Sequence, residues 1–379
     1  MSRVFFIFFA GYGALLPFLP VYYQQIGLTP GQIALLQSLT PLLVFLSQPI
    51  FGPLADRVGN RGRLLAGVLL ATGVVGAAML LPRSFGALLP IVALFSFFRS
   101  VIVPLSDSIA LGEAQRTGRA YSQLRLWGST GFLIATNVLG FVYARYSIKL
   151  AFGIWLAGMI LATLFAARLP ADGVKTKRQP LGPALKRLVA NRELLLFLGV
   201  TALLQMTEAA HATFFSIHLS GLGAAAGLVG VAWGLAALTE VPVWSVLPRF
   251  VRRWGPLPIL TVAATFYGIR WVLYGLVGSA PLLVGLQLLQ GISFALFMPV
   301  AVEEVGRLTP PDLRSSGQAL LGICGGGIAT VVGTLVGGVL VEAAGTSLLY
   351  TVMGGVAFVG ALGYVGLLRL GTADSHLTE

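Results

Sequence analysis

One cysteine, three histidines and only 10% charged residues occur in 379 positions. A single Cys324 allows neither a disulfide framework nor a thiolate metal site, and in its Gly-rich apolar stretch it reads as a buried small residue. His211 and His218 stand seven apart and can share a helix face, but two imidazoles without a third ligand make no metal centre. The glycines from Gly322 to Gly337 follow no strand and precede no Lys-Ser or Lys-Thr, so they do not form a phosphate-cradling loop. They read as sites of close helix contact, with Gly333 and Gly337 a GxxxG pair. No cofactor or metal is expected. No arrangement of Ser, His and acid points to an enzyme. Acidic residues are half as frequent as basic ones, 13 against 25, giving a net charge of +12. That charge does not indicate nucleic acid, because the basic residues are spread over short loops between apolar runs, where anionic lipid and the insertion machinery select them. With 56% hydrophobic residues, a water-soluble domain is excluded.

What the chain has in abundance is long hydrophobic runs. A membrane-crossing helix takes about 20 apolar residues, and twelve runs qualify, at about 4–25, 31–54, 64–82, 87–110, 121–143, 147–168, 193–219, 224–248, 256–277, 281–304, 315–341 and 346–368. The expected fold is an all-α membrane protein of twelve transmembrane helices. Met1-Ser-Arg3 leads into a run longer than a signal core and without a small-residue cleavage site, so the first span is expected to be retained. Nineteen of the 25 Lys and Arg lie at the termini and in loops after even-numbered spans, whereas loops after odd-numbered spans hold only Arg83, Arg145 and Lys149. The positive-inside rule then sets both termini in the cytoplasm, with the chain in the plasma (inner) membrane.

The one long loop, 169–192, carries Lys175, Lys177, Arg178, Lys186, Arg187 and Arg192 and reads as a cytoplasmic linker. It would divide an N-terminal six-helix bundle, 1–168, from a C-terminal one, 193–370, followed by a cytoplasmic tail, 371–379. Its part near 181–191 can lie as a helix on the membrane surface. A shift of 195 residues brings Pro53 onto Pro248, Arg57 onto Arg252, Pro104 onto Pro299, Arg119 onto Arg314 and Gln123 onto Gln318. A shift of 196 brings Phe18 onto Phe214 and Gly31 onto Gly227. In step with the hydropathy, these matches indicate two pseudo-symmetric halves, parallel repeats related about the membrane normal.

Between the second and third runs stands Gly52-Pro-Leu-Ala-Asp56-Arg57-Val-Gly59-Asn-Arg61-Gly-Arg63. It is expected to form a short water-facing hairpin. Gly52 admits a neighbouring helix, Asp56 can accept hydrogen bonds from a facing helix N-terminus, and Gly59 permits positive φ in a tight reversal. The three arginines are expected at headgroup level. The pattern resembles the loop signature of the major facilitator superfamily of secondary transporters, which implies a gating role for Gly52, Asp56, Arg57, Gly59 and Arg61.

Charges inside spans are expensive, about 2.5–3.5 kcal/mol each at the bilayer centre, and they are Arg99, Asp107, Arg125, Glu208, Glu240 and Arg270. Asp107 and Arg125 flank one cytoplasmic loop at similar depth and are expected to pair. The run from Tyr121 to Phe132, with Arg125, Trp127 and Gly128, resembles the fifth-helix motif of lactose permease relatives, nucleoside:proton symporters and the 3-phenylpropionate transporter group. The resemblance implies that Arg125 binds substrate and pairs with Asp107, beside Trp127. Thr239-Glu240-Val241-Pro242 resembles the eighth-helix segment of the same relatives, where a carboxylate contacts substrate and takes part in proton coupling. Desolvation raises a carboxylate pKa and a nearby arginine lowers it, so alternating exposure can load and release a proton. Glu240 is the first candidate, with Glu208 and Asp107 behind it. Counting about 1.5 Å per residue puts Arg270 nearer the depth of Glu208 than of Glu240, and the choice between them stays open. Gln205, Glu208 and His211 should share a face of the seventh span. Arg99 lies near mid-membrane, with snorkelling or backbone pairing as its structural alternative. Glu303 and Glu304 should be interfacial. The tenth span reads Leu289-Gln290-Gly291-Ile-Ser293-Phe294 and lacks the His and Glu that lactose permease places there.

The expectation is a monomeric secondary transporter moving a small polar or anionic metabolite (sugar, nucleoside or aromatic acid) by alternating access with protons as the coupling ion. Substrate is expected near the midplane, held by Arg99, Asp107, Arg125, Trp127, Glu208, His211, Glu240 and Arg270. Rivals are a proton-driven exporter of the same fold, whose usual fifth-helix glycine-proline pair is missing after Gly128, and a non-transporting membrane sensor or scaffold.

Overall fold

A computed structural model of the chain describes residues 1–58, 60–82, 84–118, 120–169 and 187–376, apart from the side chains of Asp56, Ser315 and 371–376. Gly59, Arg83, Arg119, the Asp56 carboxylate, residues 170–186 and residues 377–379 lie outside the described residues.

Twelve helices, and no strand among the described residues, follow the hydropathy. They are α1 (Ser2–Gln25), α2 (Pro30–Arg57), α3 (Arg61–Ala78), α4 (Phe85–Thr117), α5 (Tyr121–Arg145) and α6 (Leu150–Ala166), then α7 (Arg192–Gly221), α8 (Ala226–Trp254), α9 (Pro256–Leu276) and α10 (Ala280–Leu308). The last two, α11 (314–343) and α12 (346–376), form one run parted where Ala344 and Gly345 leave helical geometry. Local chemistry explains most of the ends. At α2, Thr29 and Gln32 form a reciprocal capping box in front of Pro30. Asn60 accepts the Arg63 N–H at 3.0 Å to start α3. Gly118 ends α4 at φ 70°, a conformation that suits glycine.

Three helices depart from regular α geometry. In α1 the helix is interrupted between Leu15 and Leu19, where Pro17 has no N–H to donate. Residues Leu286–Leu289 of α10 tighten to 3-10 geometry, and Gly322–Ala329 of α11 widen to a π-helix whose Gly325 carbonyl takes a bond from Thr330 Oγ1 at 3.0 Å. Cys324, in that stretch, is half-buried rather than buried.

The expected hairpin at 52–63 needs correction. Helix α2 continues to Arg57 and α3 restarts at Arg61 on the Asn60 cap, so most of the twelve residues are helical. Arg61 is 4% exposed and its Nη1 donates to Ser108 Oγ on α4 at 3.0 Å. Only Arg57 and Arg63 of the three arginines are exposed.

The chain divides into two compact units, Met1–Lys177 with Leu219–Gly234, and Arg178–His218 with Leu235–Glu379. In the first, α1 packs on α5 and α6, α3 on α4 and α6, and α2 on α4. A Cβ at Gly131 of α5 would meet the Phe6 carbonyl of α1, and Gly73 and Gly76 of α3 lie against Met159 and Trp155 of α6. In the second, the same scheme recurs six helices later. Gly333 of α11 lies on the Met206 backbone of α7, and Gly268 and Gly275 of α9 meet Phe358 and Thr351 of α12. Glycine at these crossings lets backbones approach where no hydrophobic drive separates helix from lipid.

Candidate functional site

In the second unit the spacing of α9 sets the chemistry. Tyr267, Arg270, Trp271 and Tyr274 recur at i, i+3, i+4 and i+7, share one face, and are all 0% exposed. Arg270 is the charged member of this stripe. Its guanidinium stacks 3.9 Å from the Trp271 ring centroid, while Trp271 Nε1 donates to Thr207 Oγ1 on α7 at 3.1 Å. Arg270 Nη2 lies 3.5 Å from Glu208 Oε2 of α7, an ion pair whose arginine side chain is sealed and whose glutamate side chain is 17% exposed. The choice that depth counting left open thus falls on Glu208: it, and not Glu240, is the direct partner.

Glu240 joins the same cluster through α10. Gln290 Oε1 accepts from Arg270 Nη1, and Gln290 Nε2 donates to Glu240 Oε1 at 3.4 Å. Ser293 Oγ accepts a second bond from Arg270 Nη1 at 2.7 Å. One turn earlier Gln287 Oε1 accepts the Tyr274 hydroxyl at 2.6 Å. Two features of α10 make this possible. The 3-10 turn ends at Leu289, immediately before Gln290, and Gly291 brings the α10 backbone onto Thr239 of α8, where a Cβ would meet the Thr239 carbonyl at 2.7 Å. A Glu208–Arg270–Gln290–Glu240 chain results, one fixed positive charge between two carboxylates.

His211 and His218, on α7, enter an aromatic cluster and not a metal site; no group able to hold a metal occurs among the described residues. His211 Nδ1 lies 3.2 Å from the Tyr350 hydroxyl, and its ring is 4.6 Å from that of Trp271. His218 meets Thr346 Oγ1 at 2.7 Å and the Tyr274 carbonyl at 3.0 Å. Gln205 Nε2 reaches Met298 Sδ at 3.6 Å, so Gln205, Glu208 and His211 all point into the unit, as their spacing requires. Glu304 is 0% exposed, and Arg307 donates to both its oxygens at 2.7 and 2.8 Å. Glu303 is exposed.

The first unit does not pair Asp107 with Arg125. Asp107 Oδ1 accepts the Tyr121 hydroxyl at 2.9 Å, and the Arg125 guanidinium lies 4.1 Å from the Phe9 ring centroid and 5.6 Å from that of Phe5. Tyr121 stands one helical turn before Arg125 on the same face and takes the carboxylate first. Trp127 is also separated from them. Two residues on from Arg125 it projects to the other side of α5, is 50% exposed, and meets Phe6 edge-on at 6.3 Å. It lines a crevice of about 500 Å³ with Ser2, Arg3, Ile7 and Phe165 instead of standing beside Asp107. Arg99 neither snorkels nor bonds backbone: Nη1 donates to the Tyr12 hydroxyl at 3.2 Å and Nη2 to Thr40 Oγ1 at 2.5 Å.

The family model described as MFS_1 like family matches residues 1–352. The chain belongs to this family. It is thus a major facilitator superfamily transporter and an integral, multi-pass membrane protein. Maltose permease of Geobacillus stearothermophilus is 31% identical over 344 residues, covering 89% of this chain and 86% of that protein. The Probable 3-phenylpropionic acid transporter of Escherichia coli (strain K12) is 28% identical over 291 residues, covering 75% and 76%. Among solved structures, that of nucleoside transporter NupG matches with a TM-score of 0.87 at 18% identity, covering 97% of this chain and 98% of that one, a likeness of fold.

For this facilitator, the residues missing from the expected site are Gln287, Gln290 and Ser293. Their signal is present in the sequence as three polar side chains at every third position of an apolar helix. Against a motif that calls for His and Glu in the tenth span, these neutral side chains register only as an absence.

Proposed function

We propose that the protein is a proton-coupled symporter of a small polar or anionic solute, working by alternating access as a monomer in the inner membrane with both termini cytoplasmic. One observation carries the reading: two carboxylates, Glu208 and Glu240, share the single guanidinium of Arg270, one by contact and one through Gln290. With both carboxylates ionised the cluster holds an extra negative charge in a medium where charge is expensive. One bound proton makes it neutral. Arginine does not give up its proton at accessible pH, so the proton must reside on a carboxylate. Glu240 suits this role better, because Glu208 is held by the guanidinium whereas Glu240 accepts one long amide bond and is half-buried. Arg270 Nε lacks a hydrogen-bond partner among the described residues, leaving a donor that a polar solute can satisfy when the site opens.

Glu240→Gln keeps an acceptor for Gln290 and removes the titrating group. In reconstituted vesicles it should abolish uphill uptake driven by a pH gradient while solute counterflow persists. Uphill uptake equal to wild type would sink proton coupling at this site.

A further inference from the structure

Arg99 lies 14 residues into α4, about 21 Å from the helix start, and the groups that contact it among the described residues are neutral. Its hydrogen bonds go to the hydroxyls of Tyr12 and Thr40, and Thr40 in turn donates to Ser96 Oγ at 3.0 Å. The guanidinium is 5.6 Å from the Tyr12 ring centroid and 5.7 Å from that of Phe95. Its Nε is buried without a hydrogen-bond partner. Ring faces and hydroxyls soften the desolvation of a cation but leave its charge standing.

No acid of the same unit supplies the counter-charge among the described side chains. Asp107 is eight residues further along α4, about 12 Å, and is taken by Tyr121. Glu113 is further still and pairs with the Met1 amine at 2.9 Å. Asp56 belongs to α2, 16 residues beyond Thr40, about 24 Å along the axis. A carboxylate stranded this way can protonate itself to neutrality; an arginine cannot. Arg99, Tyr12 and Thr40 are each half-buried and not sealed, so a solute can reach them. Tyr12 also packs on Phe132 at 6.4 Å, which gives the place an aromatic wall.

We infer that Arg99, with Thr40 and Tyr12, seats the anionic group of the transported solute, and that this solute is an organic carboxylate, not a neutral sugar or nucleoside. The inference rests on the transporter reading above and narrows its substrate class. Planar guanidinium and carboxylate match in a two-bond fork, the strong form of this contact, and a ring on the solute has Tyr12, Phe95 and Phe132 to lie against.

The test is counterflow in proteoliposomes holding the full chain, at neutral pH, with matched probes: 3-phenylpropionate against 3-phenylpropionamide, benzoate against benzamide, and maltose and uridine as neutral solutes. Wild type should exchange an acid at least about tenfold better than its amide, the margin of one charge-assisted hydrogen bond. In R99Q the acid-to-amide ratio should fall towards one, while R99K retains part of it. The ratio is internal to each variant, so a loss of folded protein does not move it. A wild-type ratio near one, or a ratio unchanged in R99Q, overturns the inference, as does exchange of maltose or uridine with the acids excluded. That last result leaves proton-coupled transport standing. Acid exchange lost in R99Q, together with full pH-driven uptake in Glu240→Gln, supports the Arg99 seat and removes the coupling proposal instead. No exchange of any probe overturns both.

Discussion

Arg270→Met should destabilise the folded protein by about 3–5 kcal/mol, the range for removing one partner of a buried ion pair, and should eliminate transport. Glu208 would be left without its cation, and Gln290 Oε1 and Ser293 Oγ would lose the same donor. The companion variant separates stability from function. Arg270→Met with Glu208→Met replaces the pair by apolar side chains of similar reach, a change that is often neutral or stabilising, so most of the lost stability should return while transport stays absent. Thermal unfolding in detergent and solute counterflow, run on the single and double variants, measure the two quantities independently. A single variant as stable as wild type would show that Glu208 does not depend on Arg270 for its charge. A double variant that transports would remove the cluster from the mechanism.

How much of this was legible beforehand depended on the kind of question asked of the residues. The spans were readable because their signal is carried by about twenty residues at once. Depth was readable in part, since rise per residue is fixed: it put Arg270 nearer the depth of Glu208 than of Glu240 without choosing between them. Rotation about the helix axis was readable only through neighbours on the same helix. Gln205, Glu208 and His211, three residues apart, therefore face inward together, whereas Trp127, two residues on from Arg125, stands on the other side of α5 and not beside Asp107 as the motif resemblance implies. Competition was not readable at all. Nothing in the one-dimensional pattern says that the Tyr121 hydroxyl reaches Asp107 ahead of Arg125, or that Arg61 turns inward to Ser108. Gln290 is the opposite case: a neutral side chain carries no charge signal in an apolar helix, although an amide that accepts from Arg270 and donates to Glu240 is what joins one charge to the other.

Gly131→Leu and Gly333→Leu should each prevent the protein from accumulating, and even alanine should lower stability by about 1–3 kcal/mol at either position, the usual scale of overpacking. A Cβ at Gly131 would fall on the Phe6 carbonyl, and one at Gly333 on the Met206 carbonyl, so in both cases the obstacle is helix backbone and cannot rotate away. Gly153 of α6 and Gly355 of α12 have nothing within 4 Å of where an added methyl would sit, and alanine there should be neutral or slightly stabilising, since glycine is the poorer helix former. Expression level and unfolding temperature of the four alanine variants therefore test the crossings against composition alone: if all four behave alike, close approach at Gly131 and Gly333 is not what holds α1 to α5 and α7 to α11. The pairing matters for function because each crossing anchors a helix that bears site residues. Phe6 precedes Phe9 and Tyr12 on α1, next to Arg125 and Arg99, and Met206 precedes Glu208 and His211 on α7. Moving either backbone by the width of a methyl group would shift those side chains by more than the margin separating a hydrogen bond from none. Among variants that still fold, Gly131→Ala is thus expected to weaken solute exchange out of proportion to its loss of stability, and exchange per folded molecule, compared with Gly153→Ala, is the measurement that decides it.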